Sequence, residues 1–371
     1  MQKKVLIVDD SALMRRVLSD IINLDNRFHV SKVATNGLEA FDLLSREKGQ
    51  YDAVLLDINM PKMNGLELLE QLEKYHIKAT IIIVSTVAKE GAKETIRALE
   101  LGAFDFVTKP ESFFDVKSDK FKNNIIDCLV VATKLYQDDK KIVSTVDETI
   151  YKKSNPVEVK KQIIIQDKKD YRPIKRVSNG KRLIALACST GGPKALQQVI
   201  PLLSDHIGCS MLVVQHMPEG FTASLANRLN ELSKLEVKEA SDGDILRDGV
   251  AYIAKGGCQM RLTNAPGGAK LTLTTEPARN GLKPCADIMY ESLIHSDYDE
   301  IICVVLTGMG GDGTLGIKQL REKKNVYVIA QDEATSTVYG MPKVVAEAGL
   351  VNEIVPLGQI ASAIQKNLGV H

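Results

Sequence analysis

Three carboxylates, a hydroxyl and a lysine fall at the ends of successive apolar runs in the first third of the chain. Asp9 and Asp10 follow residues 5–8, Asp57 follows 53–56, Ser85 follows 81–84 and Lys109 follows 104–107. If these runs are strands of a parallel sheet in the flavodoxin-like order 2-1-3-4-5, strands one and three are neighbours and the carboxylates converge beyond their carboxyl ends, where such sheets bind ligands. Left bare, the three would repel one another and raise a pKa. A hard divalent cation such as Mg2+ relieves that repulsion and keeps a position open for a phosphoryl oxygen. The Ser85 hydroxyl and the Lys109 ammonium could grip the same group, and Pro110 allows a cis bond that would fix the lysine's direction. Any one of the five alone serves as well as a cap or turn residue. All five at successive strand ends favour a site.

A second constellation lies in the last half. Cys188-Ser189-Thr190-Gly191-Gly192-Pro193 follows the apolar run 183–187 and precedes a helical pattern. A serine on a sharp strand-to-helix turn is the geometry of a nucleophile elbow, and the helix N-terminus behind it favours an oxyanion. The first glycine of G-x-S-x-G is missing, so a serine N-cap is the ordinary alternative. A serine of normal pKa needs a base. His216, one of six histidines, follows the run 211–214 and precedes Pro218. His206 and His295 compete with it, from helix-to-loop contexts. The base needs an orienting carboxylate, and Asp312 in Thr307-Gly308-Met309-Gly310-Gly311-Asp312-Gly313 follows the run 301–306. The order Ser, His, Asp along the chain differs from those of α/β-hydrolases, chymotrypsin and subtilisin. That argues against those folds, not against the chemistry. The same loop also matches G-x-G-x-x-G, with Asp332 about 20 residues on, as a dinucleotide site would. This alternative places the fingerprint late in its domain and leaves Ser189 and His216 unexplained.

The elements that must position these groups follow from hydrophobic periodicity. Strand–helix alternation repeats five times in about 130 residues, which implies a doubly wound parallel sheet. The runs 30–34 and 104–107 are its weaker strands. Leu66, Leu68, Leu69 and Leu72 mark a helix, and Ile125, Ile126, Leu129 and Val130 form the inner stripe of a closing one. From about 134 to 182 the pattern fails. Lys-Lys pairs at Lys140, Lys152, Lys160 and Lys168 alternate with polar residues, and Ile163-Ile164-Ile165 is the one apolar patch. This reads as a solvated linker. A second α/β alternation begins at Leu183, with strands over 183–187, 211–214, 301–306 and 326–330. Short alternating pieces between Leu235 and Thr275 predict a β-hairpin insertion. The expected units are 2–120, a closing helix and linker over 121–180, and 181–371.

Bulk composition narrows the classes. The 371 residues suit two domains, with 44% hydrophobic and 26% charged side chains. Forty-eight basic against 47 acidic groups give a net charge of +1. That balance offers no electrostatic reason to invoke nucleic acid or membrane insertion. Six cysteines without a C-x-x-C pair read as buried free thiols. No apolar stretch reaches the ~20 residues of a membrane span, and the expectation is a cytoplasmic protein.

With Met60-Pro61-Lys62-Met63-Asn64-Gly65 after Asp57, residues 2–120 resemble the receiver domain of bacterial two-component systems. The resemblance implies that Asp57 accepts a phosphoryl group from a histidine kinase. It also implies that Asp10, Asp57 and the backbone carbonyl of Asn59 hold Mg2+ with Asp9 acting through water, and that Ser85 and Phe106, with Lys109, form the switch. Residues 181–371 resemble the catalytic domain of the chemotaxis protein-glutamate methylesterases. The matching pieces are Ser189-Thr190-Gly191-Gly192, Gln215-His216-Met217-Pro218, Gly243-Asp244 with Tyr252-Ile253-Ala254, Leu306-Thr307-Gly308-Met309-Gly310 and Tyr339-Gly340-Met341-Pro342. This implies Ser189 as nucleophile, His216 as base, Asp312 as its partner and an oxyanion hole from the Thr190 and Met309 N–H groups. The implied reactions are hydrolysis of glutamate γ-methyl esters on methyl-accepting chemoreceptors, releasing methanol, and deamidation of receptor glutamines, with no cofactor in the esterase site. Two departures fall near the rim. Lys255-Gly256-Gly257-Cys258-Gln259-Met260 stands where the family often has Pro-Gly-Gly and a histidine before the methionine, and Leu282 replaces a commonly polar residue. A binding-only output domain, or an esterase serving another signalling partner, are the rival readings.

Overall fold

The protein is described here from a computed structural model covering residues 2–86, 88–110, 118–135 and 180–370. The lysine-rich stretch and Ile163-Ile164-Ile165 lie outside the described residues.

The N-terminal domain is built on five parallel strands, β1 (Lys3–Val8), β2 (Phe28–Ala34), β3 (Ala53–Leu56), β4 (Ile81–Ser85) and β5 (Asp105–Thr108), in the order β2-β1-β3-β4-β5. Helices α1 (Ala12–Asn23), α2 (Gly37–Arg46), α3 (Gly65–Lys74), α4 (Lys89–Glu100) and α5 (Asp119–Ala132) cover both faces. Double cover explains why the central strands are continuous apolar runs. Edge strand β2 exposes Ser31, Lys32 and Val33, hence its weak signal. Phe121, Ile125 and Leu129 of α5 pack with Val5, Ile7 and Leu55. Helix α3 starts in a capping box: Asn64 Oδ1 accepts the Glu67 N–H and Glu67 accepts the Asn64 N–H. Gly65 beside it is required, because a Cβ there would lie 2.5 Å from the Asp57 carbonyl oxygen.

The C-terminal domain has seven parallel strands in the order β14-β13-β12-β6-β7-β9-β8. Their ranges are β6 (Arg182–Cys188), β7 (Ser210–Gln215), β8 (Glu236–Glu239), β9 (Val250–Ile253), β12 (Glu300–Val305), β13 (Asn325–Gln331) and β14 (Glu353–Val355). An antiparallel hairpin, β10 (Gln259–Ala265) with β11 (Gly268–Thr274), stands apart. The expected hairpin is therefore present but narrower than 235–275. β8 and β9 extend the parallel sheet, because the buried run of β9 pairs with β7. The helices are α6 (Gly192–Val199), α7 (Phe221–Leu232), α8 (Ala286–Ser292), α9 (Thr314–Lys323), α10 (Met341–Glu347) and α11 (Ile360–Leu368). β12, β6 and β7 are adjacent at the centre, which brings the loops after all three together.

The domains touch. One apolar cluster runs through Ile96 and Leu99 of α4 to Leu196, Phe221, Leu225 and Leu229. All six cysteines are free. No described helix is long and apolar enough to cross a membrane.

Candidate functional site

In the N-terminal domain the three carboxylates converge as the strand order requires. Ligand oxygens of Asp9, Asp10 and Asp57 lie within 4.8 Å of one another. Asp9 and Asp57 are buried, and Asp10 is exposed. Lys109 Nζ bridges Asp9 Oδ2 and Asp57 Oδ2, each at 2.9 Å. Burial pushes the Asp57 carboxyl above its usual range, Lys109 opposes this and the Asp9 charge adds to it. Burial would lower the Lys109 pKa, but the two carboxylates outweigh it and the ammonium is held charged. One cation against three converging carboxylates, all hard oxygen donors, suits a divalent ion such as Mg2+. Ser85 is buried, its Oγ donating to the Gly91 carbonyl at 3.3 Å. Asn59 turns its side chain to Glu94 of α4, at 3.0 Å. The Lys109–Pro110 bond is trans; among the described residues the cis bond is Lys283–Pro284. Lys109 owes its direction to its two carboxylates instead.

In the C-terminal domain the ends of β6, β7 and β12 assemble Ser189, His216 and Asp312. Ser189 sits in a tight turn: its N–H donates to the Thr307 carbonyl and its carbonyl accepts the Gly192 N–H at 2.7 Å. Gly191 turns the chain at φ +79°, with Thr337 Oγ1 2.4 Å from where a Cβ would stand. Gln215 Nε2 donates to the Ser189 carbonyl and Thr307 Oγ1 to the Thr190 carbonyl, at 3.1 and 2.9 Å. Among the described residues, the N–H groups of Thr190 and Met309 donate to no protein acceptor. They stay available to an oxyanion.

His216 and Asp312 are in direct contact, Nε2 to Oδ2 at 2.7 Å. Nδ1 is the ring nitrogen that Asp312 does not engage. Asp312 is gripped by donors only. Its Oδ2 also accepts the Ala286 N–H at 2.6 Å, and its Oδ1 accepts the Asp287 and Gly313 N–H groups at 3.0 Å and the Cys285 thiol at 3.1 Å. Burial alone would raise its pKa. The His216 hydrogen bond and charge and the backbone donors prevail, holding it at about 2. Asp287 goes the other way, pushed up to about 6 by burial and by the Asp312 charge, against the Gly316 N–H it accepts. The competing histidines are elsewhere: His206 is exposed beside Asp205, and His295 closes a turn after α8. The glycine-rich loop serves this site too. A Cβ on Gly308 would lie 2.8 Å from the Ser189 Cβ, and Asp332 caps the turn at Thr335.

A cleft of about 760 Å3 opens between the domains onto Ser189, His216 and Met309, walled on the other side by Asp105, Phe106, Val131 and neighbours. Thr190 Oγ1 donates to Asp105 Oδ2 at 2.7 Å. The Phe106 and Phe221 rings lie 4.6 Å apart. Arg228 pairs with Glu100 of α4. Sequence reasoning missed Asp105 and the Cys285–Asp287 backbone; neither belongs to a motif.

Strand order and side-chain placement define the class: an acidic-pocket response-regulator domain joined to an α/β domain bearing a Ser-His-Asp constellation. Residues 5–118 match the response regulator receiver domain and residues 184–364 the CheB methylesterase. A protein-glutamate methylesterase/protein-glutamine glutaminase of Pyrococcus horikoshii is 37% identical, covering 99% of this chain and 96% of its own. The one from Halalkalibacterium halodurans is 40% identical, covering 97% of each chain. The crystal structure of the Thermotoga maritima CheB methylesterase catalytic domain is 37% identical with a TM-score of 0.49, and spans 52% of this chain and all of that one. The chain belongs to the family of protein-glutamate methylesterases/protein-glutamine glutaminases.

Proposed function

We propose that the chain is a phosphorylation-activated serine esterase that hydrolyses glutamate γ-methyl esters on chemoreceptors and deamidates receptor glutamines, in the cytoplasm. The observation that carries the esterase is the His216–Asp312 contact of 2.7 Å at strand ends flanking the Ser189 turn. Ser189 Oγ attacks the ester carbonyl while His216 Nδ1 takes its proton. Asp312, ionised down to about pH 2, stabilises the imidazolium through Nε2. The Thr190 and Met309 N–H groups receive the oxyanion. His216 returns the proton to the departing methoxide, and water then releases the glutamate. With a glutamine, ammonia leaves instead.

In the N-terminal domain Asp57 accepts the phosphoryl group from a histidine kinase. Asp9, Asp10, Asp57 and the Asn59 carbonyl would hold Mg2+, which supplies charge neutralisation for phosphoryl oxygens. Lys109 and Ser85 lie at the same strand ends to receive the phosphoryl group. The receiver wall of the cleft narrows access to Ser189 for a protein substrate, and phosphorylation shifts the population toward an open arrangement. Residues 2–120 are then the receiver, 121–180 its closing helix and the connection, and 181–371 the esterase. The experiment is methanol release from methylated receptor membranes, with and without acetyl phosphate and Mg2+. Stimulation is expected in wild type and not in Asp57→Asn. Equal stimulation in both would remove Asp57 from the scheme.

A further inference from the structure

Gln259 is fully buried at the start of β10. Both ends of its amide are engaged. Oε1 accepts the Cys285 N–H at 2.8 Å, while Nε2 donates to the Leu282 carbonyl at 3.0 Å and the Pro277 carbonyl at 3.4 Å. One side chain thus ties three points of the segment 277–285. Leu282 also exchanges backbone hydrogen bonds with Arg279 around an Asn280-Gly281 turn, with φ of +52° and +77°. Asn280 and Leu282 line the cleft over Ser189. The Cys285 thiol and the next two N–H groups, of Ala286 and Asp287, grip Asp312.

We propose that Gln259 is a positioning residue for the esterase site, acting through Cys285 on Asp312 and through Leu282 on the rim of the cleft. The inference rests on the proposed roles of Ser189, His216 and Asp312. An apolar side chain in its place leaves the buried Cys285 N–H without its acceptor and the Leu282 carbonyl with the Arg279 N–H alone, so the segment must shift to find another partner. A shift of about 1 Å is transmitted to Asp312 and His216, and misplacement of that size lowers turnover by about 10²-fold. A neutral imidazole, with one ring nitrogen donating and the other accepting, can bridge the same two backbone groups.

The test uses the full chain with acetyl phosphate and Mg2+, a p-nitrophenyl ester as probe, and thermal melting in parallel. Gln259→Leu is expected to lower kcat about 10- to 100-fold with KM changed less than about threefold. Gln259→His is expected to restore most of kcat. If Gln259→Leu does not fold, Gln259→Met carries the test, since it keeps the length of the side chain but removes the N–H donor and the amide acceptor, and the same drop in kcat is expected. A folded Leu or Met variant with wild-type kcat overturns the proposal, as does a histidine variant no better than leucine. Ser189→Ala, run beside them, separates the two claims. If it turns over normally the triad reading fails; if it is inactive while Gln259→Leu is normal, only the role of Gln259 fails.

Discussion

Asp312→Asn puts the site's hydrogen bonding under the sharpest strain. The carboxylate meets only donors: His216 Nε2 and the Ala286 N–H on Oδ2, and the Asp287 and Gly313 N–H groups with the Cys285 thiol on Oδ1. An amide has one accepting end. With its oxygen toward His216, the NH2 group faces two backbone N–H donors at 3.0 Å. With its oxygen toward Asp287, the NH2 group faces one backbone donor, Ala286, and His216. Each buried donor left unmatched costs about 1–3 kcal/mol, so the second orientation wins by roughly that amount. His216 must then accept at Nε2 and carry its proton on Nδ1, the nitrogen that should take the serine proton. The expected result is a loss of about 10⁴-fold in kcat, as for a triad held in the wrong tautomer, with stability reduced by about 1–3 kcal/mol. Ester hydrolysis gives the rate, denaturant unfolding the stability, and the nitrogen-15 shifts of His216 the tautomer. A variant within tenfold of wild type, or one keeping the proton on Nε2, would rule out this role for Asp312.

Three further outcomes follow from the geometry. Gly308→Ala drives a methyl to 2.8 Å from the Ser189 Cβ, so kcat on a p-nitrophenyl ester should fall at least about tenfold; an unchanged kcat would mean the loop yields freely. Arg228→Ala removes an interdomain ion pair that is partly exposed at the arginine, worth about 1 kcal/mol at most. Methanol release without phosphodonor should rise about two- to fivefold, and a fall would contradict receiver occlusion. Asp287 has its folded pKa raised to about 6 by burial. Its stabilising contribution is therefore complete below about pH 4 and lost as pH rises through about 6. Asp287→Asn, which keeps an acceptor for Gly316, should flatten that part of the stability–pH curve and gain on the order of 2 kcal/mol at pH 7. Parallel unfolding curves for both proteins would contradict it.

What the sequence made legible was what packing writes into side chains. β1, β3, β4, β6, β7 and β12 are covered on both faces, so each is an unbroken apolar run whose last residue marks a strand end. Asp9, Asp57 and Ser85 could be found that way, and so could Ser189, His216 and Asp312, while Lys109 follows the weaker run of β5. β14 has three residues at a sheet edge and writes no pattern. The parallel pairing of β8 and β9 was hidden by the turn-rich stretch around them. The grip of Cys285, Ala286 and Asp287 on Asp312 comes mostly from backbone N–H groups, which any residue but proline supplies. Asp105 meets Thr190 only because the two domains dock.

The esterase reaction turns on Ser189 as the proposed nucleophile. Methanol release from methylated chemoreceptor by the full chain, with acetyl phosphate and Mg2+, compares wild type with Ser189→Ala directly. The expected result is a loss on the order of 10⁴-fold or more in a variant that melts like wild type. Equal release by both proteins, or none from wild type, would contradict it.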